Sequence, residues 1–499
     1  MIFIRRLVKH LVLAVTYGLF GSAIVIVGLY VYMLEGRPDL KIWHVAELDT
    51  EFQAKQAADF SSLDDYLELE RRLFQQLEER VYARVGDADR RRINRYSSGS
   101  LMDPTAYPHN WNRTFELRQQ AAKAGIVLLH GLSDSPYSMR TLGQLLHGSG
   151  FHVVGLRIPG HGTAPSGLLK VTWQDFTAAT RLAARHVREK IGPDKPLYFA
   201  GYSNGAALAV EYSLAVLEGE DLPTADGLVL LSPAIGVSPV TALAIWQSRF
   251  SNVTGLEKLA WNSITPEFDP YKYNSFPVNA GDQIYQLTQN IAQRIERLAG
   301  PNGVRGFPRT LAFQSVVDAT VPPATIIDIL FMNLAPEGHQ LVLFDVNRNT
   351  QAEPLLKSDP ETLTERLFSE EALPFDLTLV TNASVDTNAV VARQKPAQAQ
   401  HSYDVSLDLS WPRGLFSLSH VSLPFPPDDP IYGGRADDGD DNAIVLGSVV
   451  IRGERNLLQI PDDFFLRLRY NPFFPYLSQR LMSFLQAEIE TENEIPTPQ

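Results

Sequence analysis

The 499-residue chain contains no cysteine, which excludes disulfides, thiolate nucleophiles and thiolate metal sites. It has no cationic excess either. Against 57 Asp and Glu stand 44 Lys and Arg, a net charge of −13, and the only concentrated basic stretch is Arg90 to Arg95. A polyphosphate backbone would be repelled, which disfavours nucleic acid as the main partner. There is no H-E-x-x-H or similar metal spacing and no glycine-rich phosphate loop, so the sequence implies no metal and no cofactor. Internal repeats are also missing. What is there is core-building material: 44% hydrophobic and 20% charged residues, the balance of a folded globular protein. The length calls for one enlarged domain with insertions, or for two domains.

One apolar run stands apart. Leu11 to Leu34 carries no charge and is preceded by Arg5, Arg6 and Lys9. That is long enough to cross a bilayer as a helix. The cationic flank keeps the N-terminus cytoplasmic and sends the rest across, while Tyr30 and Tyr32 suit the far interface. A cleaved signal peptide is the alternative, but no small-x-small site precedes Glu35-Gly36-Arg37-Pro38. Residues 1–36 are therefore expected to be a stub and retained signal anchor. The rest of the chain would then be extracytoplasmic, periplasmic in a bacterium with two membranes.

Residues 37–120 read as a helical extension. Leu63, Leu67, Phe74, Leu77 and Val81 recur at helical spacing among charges between Ser61 and Val85, the pattern of a helix that packs one face on a larger body. After Gln120 the pattern changes. Apolar runs Gly125 to Leu129, Phe151 to Leu156, Leu197 to Ala200 and Gly227 to Leu231 alternate with helical segments Tyr137 to His147, Trp173 to Ile191 and Asn204 to Leu217. Such alternation implies a parallel sheet wound with helices. Thr310 to Val316 and Leu341 to Asp345 read as further strands.

The core is thus expected in pieces: 121–237, 307–348 with an acid loop, and 403–488 with a terminal helix Tyr476 to Leu485. Between them, residues 238–306 read as a lid or cap, rich in Trp246, Phe250, Leu256, Leu259, Trp261, Ile264 and Tyr271 to Tyr273, a content suited to covering an apolar pocket or simply to packing. A second insertion is expected at 349–402, with a helix at Pro360 to Leu367, a strand at Phe375 to Val380 and a polar linker at Arg393 to Gln400. Gly433 to Asp441 is acidic and glycine-rich without calcium-loop spacing, hence a solvated loop. Residues 489–499 read as a disordered tail.

The chemistry centres on Gly201-Tyr202-Ser203-Asn204-Gly205, a G-x-S-x-G nucleophile elbow between an apolar strand and an Ala-rich helix. Small residues at 201 and 205 allow the close approach that a sharp strand-to-helix turn demands. A plain helix N-cap serine is the bland alternative. Gly125 to Leu129 runs into His130-Gly131-Leu132-Ser133, so the N–H groups of Leu132 and Asn204 are the expected oxyanion donors, with His130 bracing the loop.

Taken in order, Leu129-His130-Gly131, Pro159-Gly160-His161-Gly162 and the elbow resemble the α/β-hydrolase superfamily, in its lysophospholipase, monoacylglycerol lipase and serine aminopeptidase-like branch. The resemblance covers Gly125 to Leu231 well and Thr310 to Pro323 moderately. It implies an α/β-hydrolase fold, a mostly parallel sheet flanked by helices with a cap insertion, and a triad in the order Ser, acid, His. Asp318 in Gln314-Ser315-Val316-Val317-Asp318-Ala319 matches the family's acid loop, and His161 falls in a loop the family uses structurally. Two histidines compete for the base. His339 lies at the family's usual interval from the acid but precedes a strand, whereas His420 lies in a loop leading to the terminal helix. Catalytic groups gather at the carboxyl ends of parallel strands, which favours His420.

The sequence therefore points to a membrane-anchored serine hydrolase with Ser203, His420 and Asp318 as triad, acting on hydrophobic or lipid-like carboxylic esters. A peptidase, amidase or acyltransferase could use the same triad; His130-Gly131-Leu132-Ser133 lacks the HGGPG-like loop of proline-trimming relatives. A non-catalytic membrane-tethered binding protein is the remaining class.

Overall fold

In the computed structural model, which describes residues 2–91, 93–236, 257–351, 359–413, 415–434, 446 and 469–494, the apolar runs become one ten-stranded sheet. Its strands are β1 (Phe115–Leu117), β2 (Ala124–Leu129), β3 (Phe151–Leu156), β4 (Leu197–Tyr202), β5 (Gly227–Leu231), β8 (Arg309–Ser315), β9 (Gln340–Phe344), β10 (Asp376–Asn382), β11 (Ala389–Lys395) and β12 (Tyr403–Ser410); β6 (Trp261–Ser263) and β7 (Phe276–Pro277) form a separate pair. The order is β1-β3-β2-β4-β5-β8-β9-β10-β11-β12. From β3 to β10 every pairing is parallel, and β1, β11 and β12 are antiparallel edges. All residues of β2, β3, β4 and β5 are buried. Continuous apolar runs rather than alternating ones are what a sheet covered on both faces requires.

Helices Trp173–Ile191, Asn204–Leu217 and Val278–Leu298 cover one face; Arg140–Gly148 and Phe474–Glu494 cover the other. The helix Trp173–Ile191 has legible ends. Thr172 and Asp175 form a reciprocal capping box, and Gly192 closes it at φ 86°, a conformation that costs glycine little.

Several segments differ from the sequence expectation. Val278–Leu298 lies within the stretch read as a lid, yet Ala280, Ile284, Leu287, Ile291 and Ile295 make a 3.6-period stripe buried in the main core, and Arg294 pairs with Glu211 of the helix Asn204–Leu217 at 2.9 Å. Of the aromatic and apolar residues assigned to the lid, Trp246, Phe250 and Leu256 lie outside the described residues, while Leu259, Trp261, Tyr271 and Tyr273 are buried. Residues 349–402 are not an excursion from the sheet but extend it through β10 and β11, with a helix at Glu361–Ser369. The stretch read as a polar linker from Arg393 begins inside β11. Lys395 is buried because its ammonium reaches the Leu367 and Phe368 carbonyls at 3.2 and 3.0 Å, placing a cation at a helix C-terminus. The terminal helix continues to Glu494, so 489–494 are helical rather than disordered, and 495–499 lie outside the described residues, as do 435–441 of the acidic loop.

At the other end, Ile2–Glu35 forms one 34-residue helix. Leu11, Val15, Leu19, Phe20 and Ile24 on it are exposed. Among the described residues taken alone, no helix is long and apolar enough to cross a membrane.

The extension folds as part of the main body. Ser62 caps the helix Leu63–Arg80, and Leu63, Tyr66 and Leu69 enter the main core. Arg157, at the end of β3, is fully buried; its guanidinium donates to Glu51 at 2.9 and 3.0 Å, to Glu70 at 3.1 Å and to the His161 carbonyl at 3.1 Å. The Tyr66 hydroxyl donates to the Arg157 carbonyl at 2.6 Å. Burying a guanidinium is tolerable only with such partners, and removing one side of a buried pair costs about 3–5 kcal/mol. Arg157→Met should therefore lower unfolding stability by about that much, read as a fall in urea midpoint; an unchanged midpoint would show that Glu51 and Glu70 find water instead.

Candidate active site

Ser203 sits between β4 and the helix Asn204–Leu217 at φ 53° and ψ −112°. A non-glycine residue there stores on the order of 1–3 kcal/mol of strain, and the surroundings enforce it. A Cβ on Gly201 would come within 2.4 Å of the Ala206 nitrogen, and one on Gly205 within 2.1 Å of the Leu129 carbonyl oxygen. The Ser203 N–H donates to Leu231 at 2.9 Å, and its carbonyl accepts from Ala206 and Ala234, both at 3.1 Å. The side chain makes no cap bond, which sets aside the N-cap reading. The hydroxyl is held instead toward another residue.

That residue is His420. Its Nε2 lies 3.0 Å from Ser203 Oγ, and its Nδ1 lies 2.7 Å from Asp318 Oδ2. All three residues are at most 9% exposed. Asp318 is held in turn by N–H groups of Thr320 and Val321 on Oδ1, each at 2.9 Å, and by the Gln314 amide on Oδ2 at 2.9 Å. The imidazole is thus oriented from one side and faces a hydroxyl on the other. Such a chain can move the serine proton to Nε2 as the oxygen attacks an electrophile.

Backbone groups adjoin Ser203: Asn204 follows it directly, and a Cβ on Gly131 would lie 3.4 Å from the Ser203 Cβ. Among the described residues neither the Leu132 nor the Asn204 backbone N–H has a hydrogen-bond partner. Gly131 packs on the Tyr202 ring so tightly that a Cβ would meet it at 2.8 Å. His130 Nδ1 faces the Gly131 carbonyl at 2.8 Å, and its Nε2 accepts from the Ile158 N–H at 3.0 Å. Burial pushes the His130 pKa well down, so the neutral ring can donate at one nitrogen and accept at the other. His161 stacks edge-on against it at 5.0 Å.

His339 is elsewhere. It precedes β9, its carbonyl accepts from the Asp376 N–H at 2.9 Å, and it is fully buried at the amino end of the parallel strands, the end opposite Ser203. Gln314, by contrast, was missed by sequence reasoning. Its signal was there: a long amide next to the apolar run Leu311 to Phe313 of a central strand must have a buried partner.

A strained serine after a parallel strand, a histidine bridging it to a buried carboxylate, and free backbone donors together define a serine hydrolase of α/β architecture. Residues 120–345 match the family model described as serine aminopeptidase, S33. The chain is 22% identical over 242 residues to the thermostable monoacylglycerol lipase of Bacillus sp. (strain H-257), covering 48% of this chain and 88% of that protein. Among solved structures, the monoacylglycerol lipase of Paleococcus ferrophilus is 18% identical, covering 46% of this chain and 88% of that one at a TM-score of 0.36. A soluble variant of the Saccharomyces cerevisiae monoglyceride lipase is 14% identical, covering 46% and 81% at the same score. Over this segment the chain is similar to the serine aminopeptidase, S33 family and to a monoacylglycerol lipase.

Burial, with Arg309 nearby, pushes the His339 pKa down to about 4, and burial likewise takes His161 to about 4. Both are neutral in the fold, whereas the unfolded chain takes up the protons below its ordinary value near 6.5. Their stabilisation is complete above that value and falls as pH drops through it toward 4. Between about pH 7 and about pH 5 each should remove roughly 2 kcal/mol. His339→Gln should flatten that share of the slope in urea unfolding measured at the two pH values; an unchanged slope would mean that His339 is not buried neutral.

Proposed function

We propose that this protein is a membrane-anchored esterase that cleaves hydrophobic, lipid-like carboxylic esters through Ser203, His420 and Asp318. The observation that carries the reading is the His420 ring spanning Ser203 Oγ at 3.0 Å and Asp318 at 2.7 Å. In this mechanism His420 Nε2 takes the serine proton, and the alkoxide attacks the ester carbonyl. The Leu132 and Asn204 N–H groups then hold the oxyanion. The protonated imidazole next gives its proton to the leaving alcohol, and water, activated by the same ring, releases the acid from the acyl-enzyme. Asp318 keeps Nδ1–H oriented throughout. No cofactor takes part.

Ester chemistry is favoured by the Bacillus relative, whose name states a monoacylglycerol lipase. Membrane attachment is favoured by the uncharged run Leu11 to Leu34 behind Arg5, Arg6 and Lys9. It would bring a site facing the far side of the membrane close to lipid. The family model's aminopeptidase description favours a second reading, in which the same triad cleaves amides at a free N-terminus.

Purified protein should react with a fluorophosphonate probe at Ser203, and Ser203→Ala should abolish labelling and lower ester turnover by on the order of 10⁴–10⁶-fold. His420→Ala should fall similarly while His339→Ala stays near the parent, compared on esters of graded acyl length. An inactive His339 variant beside an active His420 variant would reverse the assignment, and faster turnover of aminoacyl amides than of esters would favour the second reading. Deleting residues 1–36 should move the esterase from the membrane fraction to the soluble one with its turnover retained; a full-length protein extracted from membranes by alkaline carbonate would refute the anchor.

A further inference from the structure

A second constellation lies at the opposite end of the sheet from Ser203. Glu116 is the middle residue of the edge strand β1, His152 the second residue of β3, and His186 lies on the helix Trp173–Ile191. In the β1–β3 register Glu116 stands opposite Val154. His152, two residues from Val154, therefore points to the same face as Glu116. That face is the one the helix covers. Glu116 Oε1 lies 2.9 Å from His152 Nε2 and 2.9 Å from His186 Nε2. One donor atom from each of the three residues lies within 4.8 Å of the others.

We propose that Glu116, His152 and His186 form a binding site for a divalent transition metal, zinc by preference, which clips the edge strand β1 to β3 and to the covering helix. Two imidazoles and one carboxylate are the donor set of a His₂Glu zinc site with a fourth position left for water. The nitrogen donors disfavour magnesium and calcium, which take oxygen ligands. A tetrahedral zinc needs its ligand atoms roughly 3.3 Å apart; the two Glu116–imidazole distances of 2.9 Å would open slightly to reach it, and the two imidazole nitrogens, within 4.8 Å of each other, would settle at the same spacing. Without a metal, both rings must present an Nε2–H to the same carboxylate oxygen. With one, the rings present lone pairs instead.

The surroundings suit a cation. The Glu116 carboxylate turns Oε1 toward both imidazoles, at 2.9 Å each. Arg118, itself largely exposed, holds the other oxygen, Oε2, at 2.7 Å. This leaves Oε1 for the metal, as a partner behind a ligating carboxylate does in metal sites. The three side chains are less than a tenth exposed, which limits exchange with solvent. Sequence spacing could not reveal the set, because its members come from three elements at positions 116, 152 and 186.

The test uses the full-length protein, stripped with a chelator and titrated with zinc chloride. The stripped protein should take up one zinc per chain and melt at a higher temperature with it. His152→Gln and His186→Gln keep an amide donor toward Glu116, so their metal-free melting should stay near the parent's while the uptake and the zinc-dependent rise disappear. Should either variant fail to fold, zinc should still shield His152 and His186 of the parent from diethyl pyrocarbonate, mapped by mass spectrometry. Absence of stoichiometric uptake by the parent, equal uptake by the folded variants, or equal modification with and without zinc would each overturn the proposal.

Discussion

The buried guanidinium of Arg157 is the interaction on which the site's framework depends. A lone cation in that interior would cost several kcal/mol, so Glu51, Glu70 and the loop after β3 must assemble around it together. Glu51 also accepts from the Gly160 N–H at 2.8 Å, which fixes the loop Pro159-Gly160-His161-Gly162. The loop tolerates no substitute at Gly162, where φ is 73° and a Cβ would lie 2.2 Å from the Asn112 carbonyl oxygen. From Ile158 the chain of contacts passes to His130 and on to the Gly131 carbonyl, beside the donors assigned to the oxyanion. Every link from the extension to the oxyanion loop is a hydrogen bond between buried or part-buried groups. The extension is therefore scaffold for the site.

Legibility in the sequence followed burial. Strands with both faces covered, such as Gly227–Leu231, are uninterrupted apolar runs, and the helices that cover them carry a 3.6-residue stripe; both patterns survive translation into structure with bounds nearly unchanged. The elbow was legible because a sharp turn admits only small residues at 201 and 205. What was misread were elements whose polar residues are buried for a specific partner. Lys395 looks like linker until the carbonyls of Leu367 and Phe368 appear beside it. Val278–Leu298 was assigned to a lid because aromatic neighbours Trp261 and Tyr271 dominated the composition of the segment, although its own Ile284, Leu287 and Ile291 stripe is that of a core helix. Glu116, His152 and His186 gave no signal at all, since three donors on a strand, a second strand and a helix have no common spacing.

That His420 rather than His339 lies between Ser203 and Asp318 shows why topology outweighs spacing in placing such a residue. Asp318 and His420 are 102 positions apart, and the intervening chain builds β9 to β12. The ordering cost of closing a longer loop grows only with the logarithm of its length, so strands can be added between acid and base at little cost, provided the base loop is fixed from the sheet. It is fixed at two points. Ser315, the last residue of β8, donates from Oγ to the Leu418 carbonyl at 2.9 Å. Asn347, just past β9, donates from its backbone to Phe416 at 2.6 Å and from its side chain to Leu415 at 2.9 Å. Both anchors stand at the carboxyl ends of parallel strands that border the acid. They place residue 420 by contact with β8 and β9, independently of how far the chain has travelled since 318. His339, held at the amino end of β9, cannot reach that edge without unmaking the strand.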